Sequence, residues 1–370
     1  MLDSNILKNE EKAVFALRAL YRQYGYAPYK MSKFEDYEYY IRNKDFLVSD
    51  RIITFNDTNG RLLALKPDVT LSIVKNGEDA PGCKQKVFYN ENVYRVSEST
   101  GTYKETMQAG LECIGDIDTY DIFESVSLAA QSLALISQEF VLQVSHLGIL
   151  SKALDMTCPD KAFQKQAVEY IAQKNTHDLS RLCKEYGAAD TLLTQLVSAY
   201  GQRSKVLTQL EELGCSDPEL CELSQLLDET PWGDRIIFDF SLVNNRKYYN
   251  GIVFRGFLSG ISESVLAGGQ YDKLMQKLER RCGAIGFAVY LDLLEQLPTK
   301  NRGYDVDVLL VYEADTPKAA VAAQVAKLTQ EGKRSAHRKI FPKSCVISSC
   351  CGFPRRVRYA EYCASQGPLG

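Results

Sequence analysis

Histidine is almost missing: the 370 residues hold three, His146, His177 and His337, too scattered to suggest a histidine-based metal site. No run approaches the ~18 consecutive apolar residues that a membrane-spanning helix needs, and the opening MLDSNILKNEEKAVF lacks the apolar core of a secretion signal. Cysteine is present in eleven copies, an odd number, with no paired C-x-x-C ligand spacing, which argues against a disulfide framework and a zinc ribbon alike. Also missing is an excess of either charge. The chain has 44 Lys and Arg against 47 Asp and Glu, a formal net charge of −3, unlike a protein built around nucleic acid or an anionic membrane. These absences leave a reduced, cytoplasmic, globular protein as the expectation.

At roughly 100 to 200 residues per domain, the length predicts two or three units. The stretch that organises them is Lys86–Gly115, KVFYNENVYRVSESTGTYKETMQAGLECIG. It reads as two strands joined by a loop, with Ser99, Thr100 and Gly101 supplying the turn. In the second strand a period of two puts Met107, Ala109, Leu111 and Cys113 on one face and Gln108, Gly110 and Glu112 on the other. The first face is core and the second a polar floor, which Arg95 can also reach. Burying such polar groups is costly without partners, and the set suits a small zwitterion, its carboxylate on Arg95 and its ammonium on Glu112. The competing reading is a solvated sheet face with an incidental ion pair.

Around this stretch the elements follow from periodicity. Leu2–Tyr24 has a helical apolar stripe ended by Gly25. Leu47–Phe55 and Leu62–Leu65 read as a hairpin, and Lys66-Pro67-Asp68-Val69-Thr70 precedes a helical start. Asp68 there has two readings: a cap for the first free amides, or a second anion for a ligand's ammonium. Tyr120–Ser137 is a helix and Phe140–Leu147 a strand. From Ser151 to Asp228 the pattern is helical, broken at Pro159, Asn175, Gly187, Gly201 and Gly214, with self-packing stripes. Ile236–Leu242 and Lys247–Phe254 are strands and Ala267–Tyr271 is turn-like. Gly283–Ala288 is a strand leading into a helix over Val289–Gln296. After a linker, Asp305–Tyr312 and Pro317–Gln330 open a small α/β unit. From Lys333 onward Lys and Arg recur, Asp and Glu are absent as far as Ala360, and Cys345, Cys350, Cys351 and Cys363 crowd together without a zinc spacing. A disordered or non-native end is expected there.

The pieces LKPDVT, VYRVSESTGTYKETMQAGLECIG, SLVNNRKYYNGIVF, AGGQYDKL and GAIGFAVYLDLL, in that order, resemble the core of histidyl-tRNA synthetase over Leu2–Leu297. The resemblance implies an α+β fold of the class II aminoacyl-tRNA synthetase type: an antiparallel sheet flanked by helices, usually a dimer. It implies a core of residues 1–150 and 229–300; the periodicity sets a helical insertion at 151–228 and a short C-terminal α/β segment at 304–370, and the composition a poorly ordered basic tail there. It also implies a histidine-sized pocket lined by Asp68, Thr70, Arg95, Gln108, Glu112, Tyr249 and Tyr271.

Departures from the family pattern set the expected function. Asn244 stands where R-G-L-D-Y-Y-T-G has its first Arg, and Tyr290-Leu291-Asp292-Leu293 where the family has Gly-Leu-Glu-Arg. Lys104 replaces a further phosphate-binding Arg. A core that keeps the amino-acid pocket and loses these cations looks like the regulatory subunits of ATP phosphoribosyltransferase, relatives of histidyl-tRNA synthetase. That resemblance implies a non-catalytic chain without cofactor or metal, in a homodimer within a hetero-octamer. It would activate a short-form catalytic phosphoribosyltransferase in the first step of histidine biosynthesis and carry feedback inhibition by L-histidine, with tRNA and membranes excluded as partners. The alternatives are a divergent histidyl-tRNA synthetase and a synthetase-like amino-acid sensor with another partner.

Overall fold

In the computed structural model, which describes residues 7–43, 52–76, 82, 84–97, 100–243, 248–298, 307–313, 315–339 and 361–362, the N-terminal stripe forms α1 (Asn9–Gln23). This helix buries Ala13, Leu17, Leu20 and Tyr21. It ends where Gly25 takes φ +79°, a conformation glycine adopts without steric cost. Next come β1 (Ala27–Pro28), β2 (Phe34–Asp36), α2 (Tyr37–Arg42), β3 (Thr54–Asn56), β4 (Leu62–Leu65) and α3 (Thr70–Asn76). Strands β2, β4 and β3 form a small antiparallel sheet, so the expected hairpin is there as β3–β4, its residues before 52 lying outside the described part.

The organising stretch is β5 (Gln85–Val96) and β6 (Tyr103–Gly115), paired antiparallel from Gln85↔Ile114 to Val96↔Tyr103. After α4 (Thr119–Ile136) and β7 (Phe140–His146) come α5 (Leu147–Thr157), α6 (Lys161–Ala172), α7 (Thr176–Glu185) and α8 (Thr191–Ser198). Then follow β8 (Tyr200–Gly201), α9 (Arg203–Glu212) and α10 (Pro218–Asp228). Asp160, Asn175 and Asp217 accept first-turn amides of α6, α7 and α10, which is why these helices start where they do. Helices α6, α7, α8 and α10 sink Phe163, Leu179, Leu193 and Leu223 into the apolar cluster that also holds Leu111, Val126 and Leu133. The two-residue strand β8 was not expected. It pairs antiparallel with β9 (Ile236–Asp239).

The chain continues with β10 (Ile252–Leu258), β11 (Leu266–Gln270), α11 (Asp272–Lys277), β12 (Gly283–Tyr290) and a 3₁₀ turn at Leu291–Gln296. Two expectations are corrected here. The turn-like Ala267–Tyr271 is largely β11, in the interior of the sheet: its glycines serve close strand packing, because a Cβ on Gly268 would overlap the Gly286 carbonyl oxygen. The helix expected over Val289–Gln296 is the end of β12 followed by 3₁₀ structure. Val289 and Tyr290 pair with Ala109 and Gln108 of β6, and sheet pairing overrides the local helical pattern.

Among the described residues the main sheet has nine strands in the order β1-β5-β6-β12-β11-β10-β7-β9-β8. Its centre is antiparallel as expected. The sheet as a whole is mixed, because β1 runs parallel to β5 and β7 parallel to β9. Six helices fill the β7–β9 connection, and a parallel pair requires such a crossover. Helices α1 and α4 supply Leu17, Tyr21, Val126 and Leu133 to the cluster that covers one face, where Ala109, Leu111 and Cys113 point. The opposite face carries the polar residues.

The chain divides at Leu297, Pro298–Gly370 forming a separate unit. There β13 (Val308–Tyr312), α12 (Lys318–Gln330), β14 (Ser335–Lys339) and β15 (Glu361–Tyr362) build a parallel sheet in the order β14-β13-β15. The expected strand and helix are present. Within the stretch from Lys333 onward, 335–339 and 361–362 pair with β13. Cys345, Cys350, Cys351 and Cys363 lie outside the described residues.

Candidate functional site: a two-ended cavity on the sheet

Cross-strand partners share a face, so the register builds the site row by row. One row runs Arg255 (β10), Ala267 (β11), Ala288 (β12), Gly110 (β6), Tyr89 (β5). Two residues along lies Val253, Gly269, Gly286, Glu112, Val87, and on the other side Tyr290, Gln108, Glu91. In the first row large residues mark the ends and small ones the middle. The hollow is a cavity of about 220 Å³, below the ~300–1,000 Å³ typical of drug-sized ligands and suited to something of amino-acid size. Asp68, Thr70, Arg95, Gln108, Glu112, Tyr249 and Tyr271 all line it, so the structure brings the seven expected residues together.

Glu112 is the most constrained of them. It is 2% exposed; Thr70 Oγ1 donates to its Oε1 at 2.6 Å and the Tyr271 hydroxyl to its Oε2 at 2.6 Å. Burial pushes its carboxyl up to about 8, against the pull of those two donors, and the nearby Asp68 pushes the same way. A cation placed here would favour the ionised form.

Asp68 fills the first of its two readings, the cap. Its Oδ1 accepts the Leu71 amide in the first turn of α3 at 2.9 Å, while Oδ2 faces Arg95 Nη2 at 3.9 Å. Burial raises its carboxyl and Arg95 pulls it back. Arg95 in turn donates Nε to the Pro67 carbonyl at 2.9 Å, tying β5 to the segment before α3.

Aromatic residues wall the cavity. Tyr248 packs edge-on to Tyr249 with centroids 4.7 Å apart, and lies 5.6 Å from Tyr271. Hydrogen bonds set this wall: the Asn250 amide donates to the Gln270 carbonyl at 3.1 Å and its side chain to Asp272 at 3.0 Å. Gln270 Oε1 accepts the Ile252 amide at 2.7 Å. Burial raises the phenols of Tyr248, Tyr249 and Tyr271 well above their ordinary range, so they act as neutral donors.

Tyr89, Arg255 and Tyr290 also line the cavity and were not among the expected residues. Arg255 was detectable, since it continues the alternation of the 247–254 strand by one residue and shares a face with Val253. Tyr290 projects from β12 at the position where the resembled motif has Gly, and Leu293 packs against the apolar cluster. Lys104 is exposed. Asn244, Arg246 and Lys247 lie outside the described residues. Among the described residues no group of three His, Cys, Asp or Glu stands together to hold a metal ion, and no helix is long and apolar enough to cross a membrane.

The chain is similar to several known proteins. An ATP phosphoribosyltransferase regulatory subunit of Bacillus cereus (strain ATCC 10987 / NRS 248) is 26% identical over 337 residues, 86% of this chain and 80% of the relative. A crystal structure from Bacillus halodurans C, described as an ATP phosphoribosyltransferase regulatory subunit/histidyl-tRNA synthetase, superposes with a TM-score of 0.69 at 21% identity, covering 93% of both chains. A chain of the ATP phosphoribosyl transferase (HisG:HisZ) complex of Thermotoga maritima gives a TM-score of 0.61 at 20% identity, over 76% of this chain and 97% of that one. The family model described as histidyl-tRNA synthetase matches residues 2–294, and the chain therefore belongs to the histidyl-tRNA synthetase family.

Proposed function

We propose that this protein is the regulatory subunit of ATP phosphoribosyltransferase. In that role it activates a short-form catalytic subunit at the first step of histidine biosynthesis and binds L-histidine as feedback effector. The observation that carries the reading is the cavity itself. Buried acids at Glu112 and Asp68, neutral phenols at Tyr249 and Tyr271, and arginines on the same face suit a small zwitterion with a second donor group. Glu112 and Asp68 take the ammonium and the imidazole N–H, Gln108 orients the ligand, and the tyrosines exclude water.

Regulatory subunits among the similar proteins, and a similar chain within a complex of the transferase, support this reading over a catalytic one. So does Tyr290, whose ring occupies cavity wall where the resembled synthetase motif has Gly. Leu293 cannot clamp a phosphate, and transition-state charge stabilisation rests on such fixed cations. Under this reading the chain is non-catalytic, cytoplasmic and homodimeric within a hetero-octamer, and tRNA is not its ligand. Histidine regulates by binding the active and inactive assemblies with different affinity, because equal affinity shifts no population.

The test is the phosphoribosyltransferase activity of the cognate short catalytic subunit alone, with this protein, and with both protein and histidine. Activation that histidine reverses is the expected result. No activation of a folded partner overturns the proposal. The family model and the dual description of the Bacillus halodurans structure favour a second reading, a divergent synthetase, whose signature is histidine-dependent ATP–pyrophosphate exchange.

A further inference from the structure

The cavity has two arginines, and they stand in different surroundings. Arg95 has Asp68 3.9 Å away and is engaged through Nε by the Pro67 carbonyl. A ligand carboxylate placed against Arg95 would sit beside the Asp68 carboxylate, and like charges at that range repel. Arg255 enters from β10, at the far end of the row that crosses Ala267, Ala288 and Gly110. The phenols close enough to act on its charge are Tyr290 and Tyr249.

Distance favours the same division. Strands β10 and β6 are separated by β11 and β12, and Glu112 lies two residues along β6 from Gly110, the residue in the row of Arg255, so Arg255 and Glu112 are rooted about 16 Å apart at ~4.8 Å per strand and ~3.3 Å per residue. Both side chains line the cavity, and the register places only Ala267, Gly269, Gly286 and Ala288 between them on β11 and β12. Tyr290 also lines the cavity and feels the charge of both Arg95 and Arg255.

We infer that Arg255 is the carboxylate anchor of this cavity: an α-amino acid lies across the sheet with its carboxylate on Arg255 and its cationic groups on Glu112 and Asp68. Arg95 then serves as the counter-ion of Asp68. This inference rests on the amino-acid reading above and departs from the sequence-based placement of the carboxylate on Arg95.

The experiment is calorimetric titration of the full chain with L-histidine and with histamine, which keeps the ring and ammonium and lacks the carboxylate. Wild-type protein is expected to favour histidine. In Arg255→Gln, histidine affinity falls about tenfold to a hundredfold, the scale of one hydrogen-bonded charge, while histamine affinity stays within about twofold. Arg255→Lys, which keeps the charge without the fork, recovers part of the preference and decides the matter where the Gln variant does not fold. Equal losses for both ligands, or an undiminished preference for histidine in either variant, overturn the inference. A folded wild-type chain that binds neither ligand overturns the amino-acid reading itself.

Discussion

The carboxylate of Glu112 lies directly over Gly286, its partner across β6 and β12, so closely that a Cβ on Gly286 would overlap Glu112 Oε2. The glycine is therefore part of the ligand pocket without contributing a side chain. Gly286→Ala is expected to displace Glu112 from Thr70 and Tyr271 and to weaken histidine binding more than tenfold, as one charge-assisted contact is lost. Calorimetry on a variant that still assembles with the catalytic subunit checks this; unchanged affinity would refute it.

Glu112 also gives the protein a pH signature. Its carboxyl ordinarily titrates near 4.5 and is raised to about 8 in the fold. Between those values the native state holds a proton that the unfolded chain has released, so stability is highest below pH 4.5 and falls as pH rises toward 8. The contribution is on the order of a few kcal/mol. Glu112→Gln removes it, and the drop in melting temperature between pH 5.5 and 8 should be smaller in the variant than in the wild type. A drop of the same size in both would show that Glu112 is already ionised at pH 5.5.

The same proton should appear in binding. A cationic ligand favours the ionised carboxylate, so histidine binding at pH 7 is expected to release a proton from Glu112. The measured heat will then depend on the buffer's ionisation enthalpy. Glu112→Ala should bind without that dependence, lose the histidine response, and still assemble; a histidine response that survives would remove Glu112 from the pocket.

Tyr271 donates to Glu112 at 2.6 Å and its phenol stays neutral. Tyr271→Phe deletes the donor with little change of shape. Histidine affinity is expected to fall about tenfold, consistent with a hydrogen bond to a charged group, with circular dichroism unchanged. A wild-type affinity in this variant would show that the bond contributes nothing once ligand is bound.

Beside the floor, Lys66 is fully buried and its Nζ meets Glu91 Oε2 at 2.8 Å. Lys66→Met leaves Glu91, whose side chain is only partly buried, without its partner and should cost about 1–3 kcal/mol. Thermal unfolding would record the loss, and Lys66→Met combined with Glu91→Leu should recover much of it. No recovery in the double variant would place the cost in packing rather than in the stranded charge.

The polar floor was legible in Gln108, Gly110 and Glu112 because an alternating strand with one apolar face leaves little choice for the other. Asp68 was legible only as an ambiguity: one oxygen caps α3, and the other faces Arg95 in the cavity. What escaped notice was governed by partners distant in the chain. Ala267–Tyr271 reads as a turn locally and becomes a strand because β10 and β12 flank it. Val289 and Tyr290 are drawn out of a helical pattern by Ala109 and Gln108. Arg255 lay one residue past the expected strand end, and its relevance depends on a register that no local pattern specifies. The parallel β7–β9 pair was hidden for a similar reason: six helices separate its members.

The rows of the floor have a consequence for the order of events during synthesis. Each joins residues no later than Gly115 to residues no earlier than Val253, and Glu112 meets the hydroxyl of a tyrosine 159 positions further on. As the chain leaves the ribosome, β6 is an open edge while all six connecting helices emerge, and an open edge invites pairing with other chains. The pocket is among the last parts of its unit to form. A fragment ending within the helical stretch can fold helices and a hairpin and still has no floor on which to hold an amino acid.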